Sequence, residues 1–402
     1  MKLLRFSLST GVLFLLAGAA QAGWFPLNSG TTNILYSVHF PVDAQRGYAV
    51  GYSGTIVKTT DGGGTWASQS PGTTEDLYSV HFPVDAQTGY IVGYYGTILK
   101  TTDGGATWVS QVSGTTAPLY SVYFPADAQT GYAVGGGSSS VIRKTTDGGA
   151  TWVRQTSGSS YPLSTVHFPV DAQTGYTVGL NGTIRNTTDG GATWVGQTSG
   201  TTRFLYALHF PVDAQTGYAA GMSGVILKTT NAGASWDSLT SGTTNSIFSV
   251  HFPVDAQTGY AVGDMGTILV TTNGGGTWVS QVSGTTNHLG SVYFPVNTQT
   301  GYVVGETGTI LKCIDGGSWV EEERAGTRDQ GLGIRVTARP NPLTSFAIVP
   351  GHEAERFALY DVSGRKVGTF KGNRIGEGLS AGVYFVRSEN QSARPLRIVK
   401  VR

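Results

Sequence analysis

The sequence contains little cysteine, little charge and, after its first residues, no long apolar run. One cysteine among 402 residues, Cys313, excludes an intramolecular disulfide. No later segment approaches the length needed to cross a bilayer, so we expect no transmembrane segment in the mature chain. Charged residues make up only 13% of the chain, whereas glycine reaches 59 residues and tyrosine 19. This composition favours strands and tight turns over helices.

The few charges are unevenly distributed along the chain. Residues 23–320 hold 10 basic and 16 acidic residues, a net charge of −6, whereas residues 331–402 hold 12 basic and 5 acidic residues, a net charge of +7. The basic residues of the second region are spread through a strand pattern and form no run. They therefore do not indicate nucleic-acid binding.

The first 22 residues have the organisation of a secretory signal peptide. Lys2 and Arg5 form a positive end, residues 6–18 form a short apolar stretch, and Ala20 and Ala22 form a small-x-small cleavage site. We therefore expect cleavage after Ala22 and export of the mature chain from the cytoplasm.

Tryptophan recurs every 41 to 44 residues between positions 66 and 319. A fixed period near 40 residues indicates one structural unit copied many times. Each unit holds four short runs of β-branched and aromatic residues divided by Gly, Pro and Asp, which predicts a four-stranded antiparallel meander. Seven such sheets around one axis make an all-β fold, the seven-bladed β-propeller.

Two segments compete for the last strand of the ring. The segment at Trp24 has the sequence of a fourth strand without the three strands that precede one elsewhere, and Trp319 begins a fourth strand within its own repeat. We expect Trp24 to close the ring, because closure by an N-terminal strand removes free sheet edges. The predicted domains are a signal peptide (1–22), the propeller (23–320), a linker (321–330) and a small immunoglobulin-like β-sandwich (331–402).

The turn before each tryptophan, typically TTDGGATW, resembles the Asp-box of BNR repeats. An Asp or Asn side-chain oxygen there accepts N–H groups of the turn, and the tryptophan packs between blades. Because Asn replaces Asp in two repeats, we predict a structural role and expect no metal or cofactor. The Asp-box residues are Asp61 and Trp66, Asp103 and Trp108, Asp147 and Trp152, Asp189 and Trp194, Asn231 and Trp236, Asn273 and Trp278, and Asp315 and Trp319.

The repeats differ mainly in two of their four connections. Those between strands one and two and between strands three and four are nearly constant, whereas those between strands two and three and between successive blades vary. In a meander propeller both variable sets lie on one face, so we predict a binding face there, although drift in tolerant loops also explains variation. The candidate binding residues are Tyr52, Glu75, Asp76, Tyr94, Tyr95, Tyr161, Asn181, Arg203, Phe204, Met222, Asp264, Met265, His288 and Glu306.

One position of the first strand carries histidine in five repeats and tyrosine in two. Packed sheets lie about 10 Å apart, too far for neighbouring blades to share a zinc ion, so we predict half-buried hydrogen-bonding side chains. These residues are His39, His81, Tyr123, His167, His209, His251 and Tyr293.

Sialidases also contain Asp-boxes, so a glycoside hydrolase is an alternative. Such an enzyme needs an arginine cluster and free carboxyl groups. The predicted propeller has few arginines, and most of its carboxylates lie in structural turns. Four carboxylates on the predicted face, Glu75, Asp76, Asp264 and Glu306, leave a two-carboxylate glycosidase open, but we expect no enzyme.

Residues 24–320 resemble the photosystem II stability/assembly-factor-like propellers. The similarity lies in the pattern GYAVGxxGTILKTTDGGxTW, as in residues 131–135, 147–152 and 266–272. It implies a propeller and a role in assembling photosynthetic membrane complexes, although many secreted bacterial proteins share such repeats without that role.

The C-terminal region resembles the type A sorting domain of the type IX secretion system. The similarity rests on PNP at 340–342, YDVSGR at 360–365, LSAGVY at 379–384 and a basic end at 400–402. It implies export by the type IX machinery to the outside of a Gram-negative-type bacterium; an ordinary immunoglobulin-like accessory module is the alternative.

These inferences predict a secreted or surface-attached monomer that acts as a non-catalytic interaction module. Its expected partner is a protein or glycan at the cell surface, not nucleic acid. An assembly-factor-like chaperone of a membrane complex and a glycoside hydrolase are the alternative functions.

Overall fold

Seven four-stranded antiparallel sheets follow one another along residues 23–314, as predicted. The structure, a computed structural model, describes these residues and, nearer the C-terminus, residues 337–338, 347–348, 356–361, 365–371, 382–388 and 396–400. The cleavage-site residues Ala20 and Ala22, the linker and the last Asp-box residues, Asp315 and Trp319, lie outside the described residues.

In blades 1 to 6 the strands run in sequence order from the axis outwards. The chain begins with β1 (Phe25–Leu27). Blades 1 to 3 consist of β2 (Leu35–His39), β3 (Gly47–Gly51), β4 (Ile56–Thr59) and β5 (Ala67–Ser68); β6 (Leu77–His81), β7 (Gly89–Gly93), β8 (Ile98–Thr101) and β9 (Val109–Ser110); and β10 (Leu119–Tyr123), β11 (Gly131–Gly136), β12 (Ser140–Thr145) and β13 (Val153–Gln155). Blades 4 to 6 consist of β14 (Leu163–His167), β15 (Gly175–Gly179), β16 (Ile184–Thr187) and β17 (Val195–Gln197); β18 (Leu205–His209), β19 (Gly217–Gly221), β20 (Ile226–Thr229) and β21 (Asp237–Leu239); and β22 (Ile247–His251), β23 (Gly259–Gly263), β24 (Ile268–Thr271) and β25 (Val279–Gln281).

Blade 7 contains β26 (Leu289–Tyr293), β27 (Gly301–Gly305) and β28 (Ile310–Cys313), with β1 as its outermost strand. A single 3-10 turn joins the second and third strands in every blade except blade 3. These turns are Tyr52–Gly54, Tyr94–Gly96, Leu180–Gly182, Met222–Gly224, Asp264–Gly266 and Glu306–Gly308.

Strand β1 closes the ring, as predicted for the segment at Trp24. Its residues pair antiparallel with β28, with Phe25 opposite Lys312. Trp24 is buried, packs edge-to-face on Phe294 with centroids 6.0 Å apart, and donates from Nε1 to Gln281 Oε1 at 2.7 Å. The first and last parts of the propeller are thereby joined in one sheet, which removes the free edge of blade 7.

Within residues 23–314, the propeller core consists of seven apolar clusters, one between each pair of neighbouring blades. Between blades 1 and 2, the ring of Tyr48 stacks on Phe82 at 4.1 Å, and Phe82 meets Trp108 edge-to-face at 6.1 Å. The Tyr48 hydroxyl donates to the carbonyl of Gly104 at 2.8 Å, in the Asp-box turn of blade 2. Equivalent stacking of Tyr302 on Phe40 joins blade 7 to blade 1. Each blade thus lacks a complete core until its neighbour is in place.

Hydrogen bonds to the Asp or Asn side chain hold the Asp-box turns. In blade 2, Asp103 Oδ1 accepts the Thr107 N–H at 2.9 Å and the Thr101 hydroxyl at 2.8 Å, and Gly105 N donates to Thr101 Oγ1. The Thr107 hydroxyl and N–H lower the pKa of Asp103 to about 2, so the carboxylate stays ionised. Asn231 accepts the corresponding N–H of Ser235 at 3.0 Å. Asn therefore serves as well as Asp, because the turn needs an oxygen acceptor and no charge.

The described C-terminal residues form a two-stranded ladder and a four-stranded antiparallel sheet. The ladder joins β29 (Thr337–Ala338) and β30 (Ala347–Ile348), and the sheet has the order β32-β31-β33-β34. Its strands are Arg356–Asp361 (β31), Lys366–Lys371 (β32), Gly382–Ser388 (β33) and Leu396–Lys400 (β34). Across the described parts of the chain, no helix is long and apolar enough to cross a membrane.

Candidate functional site

The two variable sets of connections lie together on one face, here called the variable face. The Tyr94 N–H donates to the carbonyl of Asp76 at 2.8 Å, which joins the turn between strands two and three to the loop that enters the same blade. Ser53 N donates to Asp76 Oδ1 at 2.9 Å and so links the turn of blade 1 to the entry loop of blade 2. The variable positions are therefore neighbours within and between blades.

The opposite face is occupied by the constant turns, and its lysines are engaged there. Each such lysine donates from Nζ to the Asp-box carbonyl of the next blade, as Lys58 does to Gly104 at 2.6 Å. The same contact is made by Lys100, Lys144, Lys228 and Lys312. These lysines are therefore engaged away from the variable face.

The candidate residues are unevenly distributed around the variable face, although Glu75 and Asp76 lie beside the aromatic residues of blades 1 and 2. Blades 1 and 2 present an aromatic sector of Tyr52, Tyr94 and Tyr95, with the last two rings 6.4 Å apart. Blades 6 and 7 present an acidic sector made of Asp264, His288 and Glu306. The blades between them present Tyr161, Leu180, Asn181, Arg203, Phe204 and Met222. Comparison of the loop sequences predicted all of these residues except Leu180, but not their arrangement around the face.

Exposure separates the candidates into two groups. Tyr52, Tyr94, Tyr95, Tyr161, Asn181, Arg203, Met222 and Met265 are exposed, whereas Glu75, Asp76, Phe204, Asp264, His288 and Glu306 are partly buried. The exposed side chains can contact a partner surface directly. The partly buried ones line the openings between loops.

Two bulky candidates occupy left-handed backbone conformations. Tyr95 has φ 54° and is 62% exposed, and Met265 has φ 53° and is 59% exposed. A non-glycine residue in this region carries a strain of about 1 kcal/mol or more, and asparagine, as at Asn181, tolerates it better. A large side chain that is exposed does not offset this strain by packing in the core. Its presence at such a position therefore favours a role in binding.

A second ring of side chains surrounds the axis at the variable face, and the sequence analysis missed it. The ring is formed by the second residue of each first strand, and five of the seven are aromatic residues that contact a neighbour in the ring. The seven residues are Tyr36, Tyr78, Tyr120, Ser164, Tyr206, Phe248 and Gly290. Tyr36 and Tyr78 are 5.3 Å apart, and Tyr206 and Phe248 are 5.2 Å apart. The ring is interrupted where blades 4 and 7 carry Ser164 and Gly290. The recurrence of aromatic residues at this position of the repeat is the sequence pattern that could have predicted the ring.

The ring of histidines and tyrosines lies deeper along the axis. Consecutive side chains are in contact, with centroids between 4.8 and 5.1 Å apart around all seven blades. The expected spacing of about 10 Å is therefore wrong here, because the blades fan out from the axis and their first strands converge. Hydrogen bonding is confirmed, since the Phe124 N–H donates to His81 Nδ1 at 3.3 Å.

The histidines of this ring are neutral. Burial lowers the pKa of His39 and His167 to about 3 and that of His251 to about 4, and it holds the pKa of His81 and His209 well below the usual range. Within the described residues, no group of three or more His, Cys, Asp or Glu side chains has an arrangement that could hold a metal ion. His81, His167 and His209 each accept a backbone N–H of the next blade at Nδ1, whereas His251 donates from Nε2 to the Phe294 carbonyl at 3.3 Å.

Comparisons with known proteins agree with this architecture. The sequence profile of "Photosynthesis system II assembly factor YCF48" matches residues 16–115, 157–244 and 236–325. No curated protein sequence matches the chain significantly.

Solved structures share the fold at low sequence identity. YCF48 from Cyanidioschyzon merolae is 21% identical, covers 73% of this chain and 98% of its own, and superposes with a TM-score of 0.61. A structure of YCF48 bound to D1 peptide is 20% identical, with coverages of 74% and 99% and a TM-score of 0.61. The GH74 enzyme of Niastella koreensis is 18% identical, with coverages of 93% and 67% and a TM-score of 0.60. At these identities the likeness concerns the fold alone, so the GH74 enzyme lends no activity to this chain.

Proposed function

The chain belongs to the photosynthesis system II assembly factor YCF48 family, and we propose that it is a non-catalytic module that holds a segment of a partner protein on its variable face. The observation that carries this proposal is the gathering of exposed aromatic and apolar side chains and partly buried carboxylates on the one face where the repeats differ. A surface of this kind offers rigid aromatic anchors and charge at separate, fixed positions.

Family membership supports a protein partner over a glycan. One structurally similar protein is YCF48 with a bound D1 peptide, so this propeller type accommodates a polypeptide. The assembly of a membrane complex is the second candidate function, and the family match favours it. The identity of the captured protein distinguishes a complex subunit from another surface protein.

We further propose that the protein works outside the cytoplasm of a Gram-negative-type bacterium. The signal-peptide pattern of residues 1–22 and the sorting-domain motifs of residues 331–402 support export through the type IX machinery. The intact mass of the exported protein tests this proposal. A mass that lacks residues 1–22 is expected; a chain retained in the cytoplasm at full length would contradict it.

The partner is identified by affinity capture from the envelope fraction of the source organism, with the full mature chain as bait. A variant with Tyr94, Tyr95, Arg203 and Phe204 all replaced by Ala should lose the partner, with affinity reduced more than about thirtyfold, because hot-spot anchors each contribute about 2 kcal/mol. The matched control replaces Val84, Val170, Val212 and Val254, exposed on the opposite face, by Ala and should capture normally. Equal capture by both variants would refute the proposal.

A further inference from the structure

A cavity of about 390 Å³ opens where the variable face meets the axis. Here it is called the mouth cavity. Aromatic rings from blades 1, 5 and 6 form one side of it, and the acidic sector of blades 6 and 7 forms the other. The side chains that matter are Tyr36, Tyr206, Phe248, Asp264, His288 and Glu306. Two larger clefts, near Tyr161 and near Met265, are more open and are lined mainly by loop residues that recur in every repeat.

The mouth cavity exists because Gly290 leaves a gap in the second ring. Five of the other six blades place an aromatic side chain at this position. The backbone of Gly290 does not lie in the left-handed region, so its conformation does not require glycine. A Cβ atom there would come no closer than 3.3 Å to its nearest neighbour, the Tyr36 carbonyl oxygen. A side chain there would need the neighbouring backbone of blade 1 to shift by a few tenths of an ångström, and its absence leaves room for a ligand.

One oxygen of each carboxylate in the cavity accepts a backbone N–H, which holds the side chain in place. Asp264 Oδ2 accepts the N–H of Ser246 at 3.2 Å, and Glu306 Oε2 accepts the N–H of His288 at 3.2 Å. Their second oxygens face the imidazole, with Asp264 Oδ1 2.7 Å from Nδ1 and Glu306 Oε1 3.9 Å from Nε2. Within the described residues, no Lys or Arg forms an ion pair with either carboxylate. The site therefore places two carboxylates, with an imidazole between them, beside aromatic rings.

We propose that the mouth cavity binds an arginine side chain presented by the partner protein. This inference rests on the proposed function and specifies the chemistry of the partner. A guanidinium group stacks on aromatic faces and donates from a planar fork to carboxylates, whereas an ammonium group offers a more strongly hydrated point charge. The net charge of −6 over residues 23–320 favours a basic segment in the same way.

The test uses the full mature chain and a soluble Gly-Ser hexapeptide that carries one central arginine, followed by ligand-observed NMR titration. Lysine and citrulline versions of the peptide are the matched probes, because citrulline keeps the shape without the charge. The arginine peptide should bind best, the lysine peptide more weakly and the citrulline peptide not measurably. Asp264→Asn and Glu306→Gln should each weaken binding about tenfold, the usual effect of losing one charged hydrogen bond.

Filling the gap tests the cavity itself. Gly290→Tyr restores the aromatic ring residue used in other blades and should abolish binding of the arginine peptide. Ser164→Tyr fills the second gap of the ring and should leave binding unchanged, with thermal unfolding as the check that both variants fold. Binding that persists in Gly290→Tyr, equal binding of the citrulline peptide, or no binding of the arginine peptide would each overturn the inference. None of these outcomes changes capture of the partner protein through Tyr94, Tyr95, Arg203 and Phe204. The proposed function is therefore tested independently of this inference.

Discussion

Replacing Trp24 by Ala should lower the free energy of unfolding by about 3–5 kcal/mol, the range for truncating a buried aromatic side chain. Trp24 is 2% exposed and joins Phe294 and Gln281 from two blades through β1. Its loss leaves a cavity in the blade that closes the ring. Equilibrium unfolding in urea, followed by tryptophan fluorescence and circular dichroism together, measures the change.

Two comparison variants make this prediction specific. Pro26→Ala changes an exposed residue of the same strand and should have little effect. Trp319→Ala changes the tryptophan that competes for the same position in the sequence, and its effect should be much smaller than that of Trp24→Ala. A larger loss for Trp319→Ala would show that the ring is closed from the other end of the propeller.

Acid should unfold the propeller through the buried histidine ring, with the loss beginning as the pH falls below about 6. In the unfolded chain a histidine has a pKa of about 6.5, whereas burial lowers the pKa of His39 and His167 to about 3 and of His251 to about 4. Between these values the unfolded state binds protons that the native state does not, so stability falls with falling pH. Each histidine contributes about 1.4 kcal/mol per pH unit.

The matched variant for this prediction is His209→Tyr. Tyr123 occupies the equivalent position between His81 and His167, so the ring already accepts tyrosine between two histidines. The variant should unfold at lower pH, and the slope of stability against pH should decrease by the contribution of one proton. The Asp-box carboxylates, with pKa values lowered to about 2 at Asp103 and Asp147, lose their contribution only below about pH 4. An unchanged pH midpoint of acid unfolding would show that protonation of the ring histidines does not drive unfolding.

Much of the fold follows from the sequence because the repeat imposes it. The tryptophan period, the punctuation by glycine and proline, and the isolated fourth strand at Trp24 together determine blade number, strand order and ring closure. The Asp-box turn is local, so its hydrogen bonds at Asp103 and Asn231 follow from seven residues of sequence. The propeller fold could therefore be predicted from the sequence of one unit and the number of its copies.

The candidate site was predicted only in part. Loop variation placed Tyr95, Asp264 and Glu306 on one face, but not the left-handed backbone at Tyr95 or the position of His288 between two carboxylates. The strand pattern did not distinguish side chains that face the axis from those that face the next blade, so the second ring was missed. The spacing of the histidine ring was wrong because the usual distance between packed sheets does not apply where the blades converge.

Site-specific photo-crosslinking tests the central claim that the variable face holds the partner. A photoreactive phenylalanine replaces Tyr95 on the variable face in one sample and Val84, 60% exposed in a constant turn of the opposite face, in another. Both mature proteins are incubated with the envelope fraction and irradiated. The account predicts that the captured partner is crosslinked from position 95 and not from position 84. Crosslinking from position 84 alone would place the partner on the constant face and contradict it.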